Sequence, residues 1–475
     1  MTGSAMDRAT EEALAVANED GDRGTSGPGT SGPAGRSRGE DDPAAAGARS
    51  GLPWPRAREI AGRAATGPAA PVRRELDETL GEVLAEPLVA LTDLPAFDTS
   101  AMDGWAIAGP GPWRLVDGPG LLAGRSGAGE LADGQAVAIA TGARIPAGAT
   151  AVLRTEHGEL RRSDFPAGED PDGPVDVRPA DSRGSPGEPT GAAYLHVLGD
   201  RARTPGQDIR PRGQECHRGD RLLPAGSPVT PAVLGLAAAA GYDRLAVFPR
   251  PRVEILVLGD ELLHRGLPRE GLIRDALGPL LAPWLRALGA EVVSSRHLGD
   301  DAEVLRTAVT TSTADLLVTT GGTAAGPVDH VHPILRAAGA ELLVDGVAVR
   351  PGHPMLLARL APGRHLVGLP GNPLAAVSAL FSLAEPLLRV LSGRGPALRS
   401  TARLTQGVPG HPENTRLVPV ALRGGRAAPL PFDGPAMLRG VAAADGLAVV
   451  PPGGVAAGTE AEMLKLPWFE GETSQ

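Results

Sequence analysis

The chain has 475 residues, 65 of them Gly and 47 Pro, and a formal net charge of −10, which argues against a nucleic-acid coat or an anionic-membrane binder, since both need net basic surfaces. It holds one lysine, Lys465, and one cysteine, Cys216, so a G-x-x-x-x-G-K-[ST] phosphate loop, an intrachain disulfide and a thiolate metal cluster are all ruled out. Hydrophobic residues at 42% still allow a large core, and with aromatics at 3% that core must be built from Leu, Val, Ile and Ala.

Taken in chain order, residues 1–50 are rich in Gly, Ser, Asp, Glu and Pro and nearly devoid of large apolar residues, so a disordered tail is expected there. The formal G-x-G-x-x-G at Gly27–Gly32 has no strand before it and no apolar helix after it, and carries no meaning. No leader or membrane span is read from the sequence, and a soluble cytoplasmic protein is expected. Arg73 to Ala90 spaces its apolar residues as a helix does. Gln135 to Glu156 reads as strand, turn, strand, and 163–193 as a polar surface loop. From Arg252 the rhythm becomes strand alternating with helix, which predicts a parallel sheet with helices on both faces. Pro373 to Leu391 is a long apolar helix, and residues from Arg399 onward form a small all-β module. The expected division is a discontinuous N-terminal domain (51–90 and 205–249), an inserted β domain (91–204), an α/β domain (250–395) and a C-terminal β domain (396–475).

Ligands of open α/β sheets bind at the carboxyl ends of the strands. Three turns have the right character. Gly259-Asp260-Glu261 places two carboxylates after one strand. Thr319-Thr320-Gly321-Gly322-Thr323 leads through Gly326 and Asp329 into a helix, where glycines let backbone N–H groups approach a phosphate. Gly368-Leu369-Pro370-Gly371-Asn372-Pro373 opens the last helix with Pro just inside it. Any one of them is an ordinary tight turn; three on one sheet suit a phosphate ester with a divalent cation. His330 and His332, two residues apart at a helix start, point to different sides and argue against a metal pair.

Ser100-Ala101-Met102-Asp103-Gly104-Trp105-Ala106 resembles the S-x-M-D-G-[YW]-A signature of the molybdopterin molybdenumtransferases, the MoeA and gephyrin E-domain family. Thr141 to Ala149, with Val152 and Glu156, resembles that family's T-G-A-x-x-P-x-G-A-x-x-V-x-x-E segment. Ile209 to Glu215 is similar to its I-R-x-x-G-x-[DE] element, Gly259 to Leu262 to its T-G-D-E-L turn, and Gly368 to Pro373 to its G-L-P-G-N-P. The motifs occur in order from about residue 53 to 470. The resemblance implies a discontinuous helical domain, an inserted β domain, a three-layer α/β molybdopterin-binding domain and a small C-terminal β barrel. It also implies a homodimer with an intersubunit site. The implied reaction inserts molybdate into adenylylated molybdopterin with release of AMP, assisted by Mg²⁺, and the sulfur ligands come from the substrate's dithiolene, so Cys216 is a bystander.

Carried over residue by residue, Asp103, Asp329, Asp300 and Glu261 are the catalytic candidates. Asp260, Glu261, Asp301 and Asp329 are the Mg²⁺ candidates. Thr141, Arg210, Gly321, Gly322, Thr323, Arg350, His353, Pro370, Gly371 and Asn372 are the substrate-binding candidates. Three stretches depart from the family pattern. S-G-G-V-S-V-G-x-x-D reads Thr320 to Asp329 without either serine, Y-D-[ST]-N reads Arg274-Asp275-Ala276-Leu277, and K-P-G-K-P reads Arg350-Pro351-Gly352-His353-Pro354. Both lysines of the last are gone; Arg350 keeps a charge as a planar fork, and a histidine carries one over only part of the pH range. The alternatives are therefore an impaired paralogue that binds molybdopterin or a partner protein, and an adenylyltransferase-like enzyme. The latter leaves the Asp103 and Thr141 segments unexplained.

Overall fold

The computed structural model describes residues 51–124, 129–162, 192–199, 204–323 and 329–469. The expected tail, 1–50, and most of the expected loop, 163–191, lie outside the described residues.

The first helix, α1 (Trp54–Arg63), begins with Pro at its second position, where a missing N–H costs nothing. The expected helix over 73–90 does not form. Those residues make short strands instead, Val72–Glu75, Val83–Leu84 and Leu88–Val89. Gly81 at φ +81 interrupts the helical pattern, and partners far along the chain decide the outcome. Arg244–Phe248 pairs antiparallel with both of the first two strands, and Arg221–Leu223 pairs with the third. The helix Pro231–Ala239 covers them, capped by the Thr230 hydroxyl. The discontinuous N-terminal part thus mixes two helices with short strands, where a helical domain is expected from the resemblance.

Residues 104–197 supply a six-stranded sheet in the order Gly158–Arg162, Ala193–Val197, Trp113–Leu115, Gln135–Ile139, Gly104–Ile107, Ala151–Arg154. Both of its faces are apolar. Ala106, Val137, Ile139 and Val152 pack on one side, and Ile107, Ala136, Leu153 and Leu195 on the other.

The α/β region begins at β1 (Arg252–Leu258), followed by α2 (Leu277–Ala287), β2 (Glu291–Leu298), α3 (Ala302–Thr311), β3 (Leu316–Thr320), α4 (Val331–Ala337), β4 (Glu341–Asp345), β5 (Leu356–Ala361), β6 (Arg364–Leu369) and the long helix α5 (Pro373–Leu391). The sheet order is β2-β1-β3-β6-β5-β4. Its central strands are apolar on both faces, as a covered parallel sheet requires. Val253, Ile255 and Val257 pack toward α2, α1 and α5, while Leu256 and Leu317 pack toward α3 and α4. Five strands run the same way and β5 alone is reversed, antiparallel to both β6 and β4, because two residues, Pro362 and Gly363, join β5 to β6 and a parallel crossover needs a dozen or more.

Pro386 lacks the N–H that would continue α5, and the turn before it widens to a π-helix over Leu380–Ala384. The carbonyl of Phe381 accepts from Arg58, and the Ser382 hydroxyl accepts from the Trp54 indole at 2.9 Å, so α1 docks on the break. α5 is long and apolar enough to cross a membrane, but 83% of its most apolar stretch is buried inside the protein.

The last region contains β7 (Ser400–Leu404), β8 (Thr415–Arg423), β9 (Arg426–Pro429), β10 (Gly446–Val450) and β11 (Glu460–Lys465). Pairing runs β8-β9-β7-β11-β10 and back to β8, a closed five-stranded barrel. Val347–Arg350 adds in parallel to β8, and Leu52–Pro53 adds to that strand in turn.

Candidate functional site

Three segments distant in sequence form one corner of the inserted domain. Thr99–Ser100 pairs with Ile209–Arg210, and Gly142 donates to the Ser100 carbonyl at 2.8 Å. There an Asp103 carboxylate oxygen accepts from the Thr141 backbone N–H at 2.7 Å and from its hydroxyl at 3.0 Å. These bonds, the backbone one first, hold the Asp103 carboxyl below its ordinary range. Asp208, left-handed at φ 56, grips Arg154 through both carboxylate oxygens at 2.8 and 3.0 Å. Asp103, Thr141 and Arg210 are thus brought together. Among the described residues no hydrogen bond or ion pair joins this corner to the strand ends of the α/β sheet.

At those strand ends lies a cleft of about 150 Å³ lined by Gly259, Glu261, Gly299, Asp300, Asp301, Gly321, Gly322 and His330. Gly321 and Gly322 hold φ of +77 and +64, conformations that favour glycine. A Cβ on Gly299 would stand 2.4 Å from an Asp260 oxygen, so the glycine leaves room for that carboxylate to accept from the Asp300 N–H at 3.3 Å. Asp301 caps α3, accepting from Glu303 and Val304. Asp329 caps α4 through one oxygen and meets His332 Nδ1 at 3.1 Å through the other, and the far nitrogen of that imidazole meets Asp345 at 2.9 Å. Burial lowers the His332 proton affinity, but the bonds to Asp345 and Asp329 outweigh it and the net shift is upward. Thr323 is buried beside Gly368. The stretch between Thr323 and Asp329 lies outside the described residues.

A second cleft of about 420 Å³ is lined by Arg350, His353, Pro370, Asn372, Arg416 and Asp433 among others. It adjoins the first. Gly321 donates to the Leu369 carbonyl at 2.8 Å, and a Cβ on Gly371 would lie 3.8 Å from the Gly321 Cα. His353 is pinned by a 2.8 Å bond from Nδ1–H to the Val347 carbonyl. Arg416 comes from the barrel and pairs with Asp433 at 2.7 Å. The Pro435 carbonyl accepts from the first free amides of α5, Leu374 and Ala375, at 2.9 and 3.2 Å, so these amides are not available to an anion.

The two clefts therefore differ in character, carboxylates at one end and two guanidinium groups, one of them paired with Asp433, at the other. Among the described residues no three His, Cys, Asp or Glu side chains are arranged to hold a metal on their own. The donors fit an ion such as Mg²⁺ that binds through one or two carboxylates, keeps several waters and takes further oxygens from phosphate. Arg416, Asp433 and Pro435 are invisible to a motif reading, because the barrel brings them to the sheet only on folding. Cys216 is buried, and burial first, then Glu215 and Asp220, pushes its thiol proton affinity up.

Residues 52–241 match the model of the MoeA N-terminal region (domain I and II), 254–390 that of a probable molybdopterin binding domain, and 401–466 that of the MoeA C-terminal region (domain IV). The chain is 34% identical over 428 residues to molybdopterin molybdenumtransferase 2 of Mycobacterium tuberculosis strain H37Rv, covering 83% of this chain and 95% of the relative. It is 30% identical over 337 residues to molybdopterin molybdenumtransferase of Staphylococcus aureus strain N315, covering 67% and 71%. The crystal structure of the molybdopterin biosynthesis moea protein from Pyrococcus horikosii matches with a TM-score of 0.66 and 25% identity, over 89% of this chain and 100% of that one.

Proposed function

This chain belongs to the MoeA family of molybdopterin molybdenumtransferases, and on that premise we propose that it inserts molybdate into adenylylated molybdopterin and releases AMP. It is a transferase of molybdenum cofactor biosynthesis. The observation that carries the mechanism is the meeting of the two clefts at Gly321 and Gly371. An elongated substrate with a phosphoanhydride needs cation-binding carboxylates at one point and a dianion site a short distance away, and the paired clefts offer both. In this reading Glu261 and Asp300 face the anhydride, with Asp260, Asp301 and Asp329 as outer acids. Gly321, Gly322 and Thr323 lie along the phosphate path. Arg350, His353, Pro370, Gly371 and Asn372 form the molybdate end, with the Arg416–Asp433 pair at its rim. A Mg²⁺ held by Glu261 and its neighbours would neutralise phosphate charge as the anhydride breaks.

Asp103, Thr141 and Arg210 complete the site from a second copy in a homodimer, and the protein works in the cytoplasm. Support for the dimer comes from Asp103 itself, an ionised carboxylate held by Thr141 at a solvent-facing corner of the inserted domain. The test is reconstitution with adenylylated molybdopterin, molybdate and Mg²⁺, following AMP release and molybdenum bound to pterin together. Both should appear in step. Tight pterin binding with neither product would favour the binding-only paralogue, which the replacement of both family lysines by Arg350 and His353 recommends as the second reading.

A further inference from the structure

The second cleft holds a single carboxylate. Of the described residues that line it, Arg350, His353, Asn372 and Arg416 carry side-chain hydrogen-bond donors, and Asp433 is the only acid. Asp433 stands just beyond β9, in the loop whose Pro435 carbonyl takes the first amides of α5. Neighbours fix that loop. Phe432 is left-handed at φ 65, the Arg439 guanidinium lies over its ring at 4.4 Å, and a Cβ on Gly440 would come within 2.7 Å of the Pro431 and Phe432 carbonyl oxygens. One Asp433 oxygen, Oδ2, accepts from Arg416 at 2.7 Å, while Oδ1 has no hydrogen-bond partner among the described residues and the side chain is 39% exposed. A carboxylate offers about four lone-pair sites, so both oxygens can still accept. Beside this polar end the walls are apolar, from Pro351, Pro354, Pro370, Pro435, Ala375 and Leu417.

Apolar walls with a few placed polar groups at one end suit a flat heterocycle. Pterin, the 2-amino-4-oxo pteridine of the substrate, presents its 2-amino N–H and its ring N3–H side by side on one edge. Two parallel donors match the two oxygens of a carboxylate, and the match is selective because an analogue without them leaves the carboxylate unpaired. We propose that Asp433 is a specificity-determining residue that pairs with the 2-amino and N3–H edge of the substrate's pterin, with Arg416 holding the carboxylate in place. The proposal rests on the reading above, in which the anhydride lies in the first cleft and molybdenum is received in the second. In the substrate the dithiolene stands between the phosphate and the pterin. A substrate laid across both clefts therefore carries its pterin past the molybdate end, to the rim where Asp433 stands. The Arg416 guanidinium offsets the charge of Asp433, so the pair as a whole does not repel molybdate.

The probes are free pterin and lumazine, which carries a 2-oxo group where pterin has the amine. Each is titrated by fluorescence against the full chain as wild type, Asp433→Asn and Arg416→Gln. Wild type should bind pterin about tenfold more tightly than lumazine. Asp433→Asn, whose amide can turn either its oxygen or its nitrogen to the ring, should bind the two within about twofold of each other. Arg416→Gln keeps the carboxylate and should keep the preference for pterin. With adenylylated molybdopterin, molybdate and Mg²⁺, Asp433→Asn should raise KM about tenfold and leave kcat within about threefold of wild type. Equal binding of the two rings by wild type, no binding of pterin, or a preference that survives in Asp433→Asn would overturn the proposal. Molybdenum insertion by the wild type alongside any of these would leave the transferase reading intact. A pterin preference that depends on Asp433, in a chain that inserts no molybdenum, would overturn that reading and uphold the pterin site.

Discussion

The bridge made by His332 links the end of the cleft to β4, and its contribution to local stability is testable through pH. The imidazole stands between two carboxylates, 3.1 Å from Asp329 and 2.9 Å from Asp345, and its proton affinity is raised above the ordinary histidine value. A group with a raised folded-state pKa contributes fully below its unfolded value, near pH 6.5 for histidine, and the contribution is lost as pH rises through the folded value. Hydrogen bonds to charged partners are worth about 1.5–3 kcal/mol each. Partial solvent access at Asp345, whose side chain is 32% exposed, discounts that pair. His332→Gln should therefore cost about 1–2 kcal/mol at pH 6, roughly a five- to thirtyfold rise in the opening equilibrium of the segment. Because a chain of this size does not unfold as one unit, the assay is hydrogen exchange of peptides spanning Asp329 to Gly339, corrected for intrinsic rates. The gap between wild type and His332→Gln should be widest at pH 6 and shrink by pH 9. A gap that is equal at both, or that widens with pH, would refute the assignment of the bridge as a charged one.

Gly278→Ala would place a Cβ 2.3 Å from an Asp275 oxygen and 3.4 Å from His297 Nε2. That carboxylate caps α2 through the Leu277 and Gly278 N–H groups, so the clash should lower the melting temperature in calorimetry, outweighing the helix preference of alanine of about 1 kcal/mol; an unchanged or raised melting temperature would refute this. Asp103→Asn and Asp329→Asn should each lower turnover about a hundredfold. Mixing the two with demonstrated subunit exchange should recover part of the activity, and no recovery would count against an intersubunit site. His353→Lys should tighten molybdate binding at pH 8 by roughly 1 kcal/mol, several-fold in Kd by titration calorimetry. Unchanged affinity would place residue 353 outside the anion end.

What the sequence made legible was what local patterns encode. The strand–helix alternation from Arg252 and the glycine turns after β3 and β6 are read from adjacent residues, and stand where expected. The segment 73–90 misled because its spacing suited a helix, while the competing strand partners, Arg244–Phe248 and Arg221–Leu223, lie more than 130 residues later. The antiparallel β5–β6 hairpin was open to a closer reading, since its two-residue Pro-Gly link is too short for a crossover. For the site, the carboxylates and glycines announced themselves through motifs. Asp275 stood in the altered Y-D-[ST]-N stretch, but its partner His297, 22 residues on, joins it only when β2 finishes beside the start of α2. Arg416 and Pro435 reach the second cleft only because the closed barrel carries β8 alongside Val347–Arg350.

The pairing of Leu52–Pro53 with Val347–Ala348 also bears on how the chain is made. The first strand leaves the ribosome about 300 residues before its partner, and Trp54 leaves 328 residues before Ser382. At roughly 5–20 residues per second, the opening strand and α1 wait on the order of 15–60 s with no native neighbour. The inserted domain and the first strands of the α/β sheet have all their partners in that interval, so they can condense first while 51–63 stays outside. A nascent chain stalled before residue 350 would therefore carry an unmated amphipathic segment over 51–63, open to a chaperone or a protease until synthesis resumes.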